Sequence, residues 1–280
     1  MLKARLTFGN AVPQLRQDQI PALAAVAFKA AGLQLDDSKL EFLQSRLLPR
    51  VLDSQAGSFR RYIDLLVSDD DERQKFVESL TVHTTSFFRD RAQYNWLRTQ
   101  ALPELTQRRV KIEFWSAACS TGQEGWTSLM LAEEYRRSCG RSFTYKMIGT
   151  DISGAVLKQA SRAVYMQDDV DPIAREFRET YFLRARNRDG RYRISPSLRA
   201  AAEWRLGNLA TGEGLSGISA DVAFLRNVLI YFDSQTQKSV VNRVVDGLRP
   251  GGYLLTGHSE TGFKHPKLVA VQPSIFQKEM

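Results

Sequence analysis

Two polar interruptions at the ends of apolar runs mark where chemistry is available in this 280-residue chain. Residues 145–152, YKMIGTDI, form a strand-like run that ends in Asp151 and gives way to a helical pattern near Ser153. An acid at the tip of a strand can accept hydrogen bonds from both hydroxyls of a ribose; its plainer role would be to cap the following helix. Residues 220–233, ADVAFLRNVLIYFD, are a second apolar run, broken by Arg226 and Asn227. A buried Arg without partners would cost several kcal/mol, so the pair predicts a pocket mouth rather than a packed interior. The turn that would complete such a pocket lies in residues 113–125, EFWSAACSTGQEG. Val110, Ile112, Phe114 and Trp115 predict a buried strand, and Ala117, Ala118, Ser120, Thr121 and Gly122 are small enough to let backbone amides approach a ligand. A helix is expected from Gln123. Strand, small-residue turn and helix in this order bind nucleotide-like molecules in α/β folds. With one glycine in the turn this is no dinucleotide fingerprint, and a tight connection in an ordinary core would read the same way.

The elements that position these residues divide the chain in two. Residues 1–88 read as a small all-helical domain with helices over 17–31, 38–52, 59–67 and 70–80, and residues 89–280 as an α/β domain of mainly parallel strands. Ser38 and Glu41 make a capping-box pattern, after which Leu40, Leu43, Leu47 and Val51 keep helical spacing. Pro49 is expected to kink or end that helix, since an interior proline costs about 3 kcal/mol. Lys39, Arg46 and Arg50 share one face, which serves either as a docking surface or as a solvated basic face. Within the α/β part, residues 165–203 predict an inserted antiparallel β-subdomain. There the stretch FLRARNRDGRYRI offers Asp189 and Gly190 as a two-residue hairpin turn, with Arg184, Arg186 and Arg188 alternating onto one face. Residues 250–260, PGGYLLTGHSE, add a glycine turn feeding another strand.

Composition narrows the class. A hydrophobic content of 43% with 25% charged residues is ordinary for a globular protein. No apolar run reaches bilayer length and the N-terminal stretch lacks a secretory core, which predicts a cytoplasmic address. The two cysteines, Cys119 and Cys139, have neither disulfide-framework nor metal-ligand spacing, so no metal is expected, and Cys119 reads as a small filler. A net charge of +8 suits an acidic partner. RNA would satisfy it too, but exposed stacking aromatics and a base-directed motif are not evident.

Five ordered stretches resemble motifs of the CheR family of chemoreceptor glutamate methyltransferases: LTVHTTSFFRD at 80–90, WSAACSTGQE at 115–124, TDI at 150–152, LRNVLIYFD at 225–233 and GHSE at 257–260. The resemblance covers at least residues 80–260. It implies a class I S-adenosylmethionine (SAM) methyltransferase fold, Rossmann-like, with SAM as cofactor and S-adenosylhomocysteine as product. It implies methyl transfer to glutamate side chains of methyl-accepting receptors, giving glutamate 5-O-methyl esters in chemosensory adaptation. Carried onto this chain, it places Thr85 and Arg89 at the SAM pocket, Glu124 and Asp151 on the adenosyl part, and Asn208 and Leu209 beside the adenine. Arg226 and Asn227 then lie near the methionine moiety and Tyr231 near the transferable methyl. His83 stands where the family usually has Asn; as a neutral imidazole it can donate one hydrogen bond but cannot imitate both faces of an amide. Gln123, Gly125 and Trp126 also depart from the usual pattern. Arg89 and Tyr231 are the expected catalytic residues. Arg89 would orient either the methionine or the substrate carboxylate, and Tyr231 would either hydrogen-bond the attacking group or pack near the methyl. The implied partners are cytoplasmic receptor helices, met through Lys39, Arg46 and Arg50 and through the arginines at 184, 186 and 188. The chain is expected to act as a monomer, without nucleic acid and without membrane insertion.

Overall fold

The structure, a computed structural model, describes residues 12–35, 38, 40–185 and 189–280. They form two compact units, one ending at Thr81 and the other running from Val82 to Met280. Residues 82–88, read from the sequence as the end of the helical domain, make their bonds within the second unit. Ser120 Oγ donates to the His83 carbonyl at 3.0 Å, and Phe88 N donates to Thr127 Oγ1 at 3.2 Å.

The first unit contains α1 (Ile20–Ala31), α2 (Leu40–Asp53), α3 (Phe59–Ser68) and α4 (Asp70–Leu80). Ser58 and Asp69 cap α3 and α4 by accepting from Arg61 N and Glu72 N. Leu23, Leu43, Leu47, Val51, Phe59 and Phe76 are buried. Pro49 does not end its helix, because α2 runs on to Asp53. The buried stripe of Leu43, Leu47 and Val51 straddles the proline, and its packing outweighs the lost backbone bond. The basic face is also not the one expected. The Arg50 guanidinium grips the buried Glu72 carboxylate at 2.9 and 2.5 Å, and the Tyr62 hydroxyl donates to the same carboxylate at 2.9 Å. Arg50 therefore braces the unit from within. Arg46 stays exposed over the Phe42 ring, at 5.3 Å from its centroid. Lys39 lies outside the described residues.

The second unit opens with α5 (Arg91–Trp96), which passes through a π-helical turn at Leu97–Ala101 into α6 (Leu102–Arg108). Next come β1 (Lys111–Ser116), α7 (Gln123–Ser138), β2 (Thr144–Asp151) and α8 (Gly154–Arg162). An inserted part holds β3 (Val164–Met166), α9 (Gln167–Val170), α10 (Arg175–Tyr181), β4 (Phe182–Arg184), β5 (Arg191–Ile194) and α11 (Pro196–Ala200). The chain returns through β6 (Ala202–Leu206), β7 (Ala220–Leu225), α12 (Ser234–Asp246), β8 (Leu248–Thr256), β9 (Leu268–Gln272) and β10 (Ile275–Lys278).

The main sheet has the order β6-β2-β1-β7-β8-β10-β9. Its first five strands pair in parallel, and β10 runs antiparallel to both neighbours. Every residue of β7 is buried, as a central parallel strand requires. Val110 is not part of β1 and is 80% exposed. From β1 the chain moves outward to β2 and later crosses to β7 on the other side, so the carboxyl ends of these strands open on one crevice. This is the predicted class I methyltransferase topology, with a separate antiparallel sheet β3-β5-β4 in the insertion.

The hairpin of that small sheet differs from its expected form. Arg184 pairs with Tyr192 and Ala185 N donates to the Arg191 carbonyl, so the connection is longer than two residues. Asp189 bends back to accept from Arg191 N at 3.2 Å, a local side-chain bond that competes with the two-residue turn. Arg184 is exposed over the Tyr192 ring, while Arg186 and Arg188 lie outside the described residues.

Candidate functional site

The turn after β1 hangs from both neighbouring strands: Ala117 N donates to the Phe224 carbonyl and Cys119 N to the Thr150 carbonyl, each at 2.9 Å. Ser120 sits at φ 49°, a strained value for a side-chain-bearing residue, and this turns its N–H onto Asp151 Oδ2 at 2.8 Å. Ser153 N donates to the other oxygen, Oδ1, at 3.0 Å. Ile152 adds a third backbone bond to the same carboxylate, which still leaves lone-pair capacity for a ribose hydroxyl beside its helix-side role. Burial is the largest influence on Asp151 and pushes its pKa up, while backbone bonds from Ser153, Ser120 and Ile152 and nearby His83 pull it back. Gly207 N donates to the Asp151 carbonyl at 2.9 Å, which ties the loop after β6 to the same strand end. In that loop Asn208 Oδ1 accepts from Ala210 N and Thr211 N at 3.0 and 3.3 Å. Leu209 is buried and its carbonyl accepts from Arg243 Nη1 at 3.0 Å.

At the end of β7 the buried Arg226 is partnered at both terminal nitrogens, while its Nε has no partner among the described residues. Its Nη1 donates to Glu124 Oε2 at 3.1 Å and to the Tyr94 hydroxyl at 3.4 Å. Its Nη2 donates to the Arg89 carbonyl at 2.8 Å and lies 3.5 Å from Asp90 Oδ2. Glu124, in the first turn of α7, also accepts from Ser116 Oγ at 2.6 Å. Burial raises the Glu124 pKa, and the Arg226 charge, these hydrogen bonds and the Arg89 charge oppose the rise. Arg89 itself is exposed, its Nη1 donating to the Thr84 carbonyl at 2.9 Å, and Thr85 is half-buried in the same segment. Tyr231 lies in the 3-10 turn Leu229–Tyr231. Burial raises its phenol pKa, Arg89 lowers it and Glu260 raises it, so Arg89 acts electrostatically on Tyr231 as well as on Glu124.

Glu260 is the site residue that sequence reasoning did not single out. Its buried carboxylate accepts four backbone N–H groups: Asn227 at 2.6 Å, Val228 and Leu229 at 2.7 Å, and Gly257 at 2.9 Å. That clamp holds Asn227 at φ 56° and starts the turn carrying Tyr231. A Cβ on Gly257 would collide with the Glu260 carboxylate, so only glycine fits there. The GHSE stretch was visible in the sequence, but nothing in its pattern tells which amides a turn carboxylate will collect. Phe88 and Asp90 also have positive φ, at 53° and 73°, so backbone strain gathers around this crevice. Asp90 is further held by His258 Nε2 at 2.8 Å. Cys119 is buried and burial pushes its thiol pKa up, in keeping with a filler.

Residues 83–275 match the CheR methyltransferase SAM-binding domain, and residues 18–81 match the CheR methyltransferase all-alpha domain. The chain belongs to the CheR methyltransferase family. Its relatives include the chemotaxis protein methyltransferase of Borreliella burgdorferi, 27% identical over 94% of this chain and 95% of that protein. Chemotaxis protein methyltransferase 2 of Pseudomonas aeruginosa is 32% identical over 90% of each chain, and the Escherichia coli chemotaxis protein methyltransferase 32% identical over 87% and 84%. The CheR-type chain is thus a methyltransferase that uses SAM. The site suits that cofactor chemically. Asp151 is buried and Glu124 largely covered, and burial raises both pKa values, so a cationic molecule with a ribose diol would relieve both.

Proposed function

We propose that this CheR-family enzyme transfers the methyl group of SAM to glutamate side-chain carboxylates on cytoplasmic helices of chemoreceptors, forming glutamate 5-O-methyl esters. The observation that supports this acceptor is that the exposed Arg89 lies near enough to act electrostatically on Tyr231, whose phenol, protonated at neutral pH as a tyrosine ordinarily is, is a hydrogen-bond donor. A cation and a phenol O–H are what an anionic acceptor needs. SAM, when bound, supplies a methyl group already activated on a sulfonium. A glutamate with a reference pKa of about 4.3 is ionised at neutral pH, so no general base is required. The protein's task is placement and exclusion of water. Asp151 takes the ribose hydroxyls with its spare lone pairs, and Glu124, fixed by Arg226 and Ser116, faces the cationic part of the cofactor. His83, Thr85, Asn208 and Leu209 flank the adenosyl part, and Arg226 and Asn227 shape the methionine end. Arg89 and Tyr231 hold the acceptor carboxylate. Arg46 and Arg184, both exposed, are available for receptor docking, whereas Arg50 is committed to Glu72.

Esterification neutralises one charge on an acidic helix and so biases a receptor equilibrium. This reading places a monomeric enzyme in the cytoplasm; no helix of the described residues is long and apolar enough to cross a membrane. The test is transfer of radiolabelled methyl from SAM to purified cytoplasmic receptor fragments, followed by mild alkali, with structured RNA as a parallel acceptor. Base-labile label released as methanol from the receptor is expected. Label on RNA, or on neither acceptor, would overturn the assignment.

A further inference from the structure

We propose that the groove between α12 and the segment after β8 is the seat of the acceptor, an acidic amphipathic helix laid along α12 so that one of its glutamates is brought to the Leu229–Tyr231 turn. The proposal rests on the methyl-transfer reading above. The groove encloses about 550 Å³ and is walled on one side by Ser234, Lys238 and Val241 of α12 and on the other by Ser259, Glu260 and residues 262–265. Those α12 positions recur at helical spacing on one face, and residues 234–242 present a wall of about 12 Å, roughly two turns of a partner helix. One end of the groove is formed by Leu229 and Ile230, in the turn that carries Tyr231, and Ile230 is 58% exposed although apolar.

Charge selects the occupant. Lys238 and Lys264 line the groove, and neither has a carboxylate partner among the described residues. Glu260, the one carboxylate lining it, is spent on four backbone amides. The lining therefore presents unbalanced positive charge beside the exposed Ile230 and half-buried Phe263, with buried Val241 at the groove floor, and Phe263 is braced on Phe276 with ring centroids 5.0 Å apart. A helix with carboxylates on one face and small apolar side chains on the next matches both features.

The test is the double charge reversal Lys238→Glu with Lys264→Glu in the full chain, assayed by initial rates of methyl transfer to the purified receptor fragment and by calorimetric SAM titration. KM for the fragment should rise about tenfold, with kcat and SAM affinity within about twofold of the parent, because two rim attractions become repulsions. The parent's KM should also rise with salt more steeply than the variant's. Unchanged KM and an unchanged salt slope would overturn the groove assignment while transfer by the parent enzyme leaves the methyl-transfer reading intact. A parent enzyme that methylates no receptor fragment would sink both. Loss of SAM affinity in the variant would overturn the proposal in favour of a structural role for the lysines.

Discussion

As the proposed cofactor contacts, Asp151 and Glu124 would carry opposite demands in the free and the cofactor-bound protein. Burial raises both pKa values in the free protein, so their linked contribution to stability is fully present below the ordinary carboxylate pKa values of 3.8 and 4.5 and is lost as pH rises through the raised values. A bound cation with hydroxyl donors prefers both groups ionised, which reverses the sign for binding. SAM affinity is expected to be full at neutral pH and to fall as pH drops towards the raised values, starting above the pH at which an unperturbed carboxylate would titrate. Asp151→Asn should weaken SAM about 10- to 100-fold at pH 7, the loss of a charge-assisted bond worth about 1.5–3 kcal/mol, and should flatten the acid limb; calorimetric titration across pH reads both. Glu260→Gln tests a different role. The amide retains one acceptor oxygen and turns an NH2 group towards N–H donors, so Asn227 and Tyr231 lose their fixed positions. An expected drop in kcat of about 10- to 100-fold with SAM affinity changed far less would separate this clamp from a cofactor contact. Asp151 was legible because a lone acid closes an apolar strand. Glu260 was not, since its importance lies in a backbone path that only the folded turn reveals.

Helix and strand positions were largely legible because buried stripes repeat with the period of each element. The Leu43, Leu47 and Val51 stripe and the uninterrupted apolar run of β7 are examples. What the pattern hid was side-chain commitment. Arg50 read as part of a basic face, yet it is bound to buried Glu72, and Asp189 read as half of a tight turn, yet it folds back on Arg191 N. Ionic and local bonds of this kind depend on which side chain happens to lie opposite, and periodicity carries no record of it. Arg50 and Arg46, one helical turn apart, should therefore respond differently to truncation. Arg50→Ala leaves the buried Glu72 carboxylate with the Tyr62 hydroxyl and the more distant Lys75 ammonium at 3.8 Å, and should destabilise the helical unit by about 2–4 kcal/mol, lowering its melting temperature by many degrees. Arg46→Ala, on the exposed face, should stay within about 0.5 kcal/mol of the parent while raising KM for a receptor fragment if that face docks. Thermal melts of the full chain followed by circular dichroism read the first effect and steady-state kinetics the second; equal melting temperatures for the two variants would refute the bracing role of Arg50.

For the whole molecule, the decisive quantity is the net charge of +8, which was readable from the sequence before any fold was known. Many of its arginines are already paired with carboxylates within the chain, Arg249 with Asp221 and Glu113 among them, so the excess is carried by unpaired side chains at the surface. Such a field attracts an acidic protein over a Debye length of about 8–10 Å and raises the encounter rate without altering the bond-making step. The consequence is a division between constants that salt should expose. As ionic strength rises from about 0.02 to about 0.5 M, kcat/KM for an acidic receptor fragment should fall about tenfold or more, because screening removes the steering. SAM affinity should move much less, since the proposed cofactor contacts are the buried Asp151 and the largely covered Glu124, where salt screens less. The value of kcat at saturating receptor should hold steady, because neither the phenol of Tyr231 nor the clamp at Glu260 depends on distant charge. Parallel salt series of initial rates and calorimetric SAM titrations make the comparison, and a kcat/KM that is flat in salt would mean that the excess charge does not act on the acceptor at all.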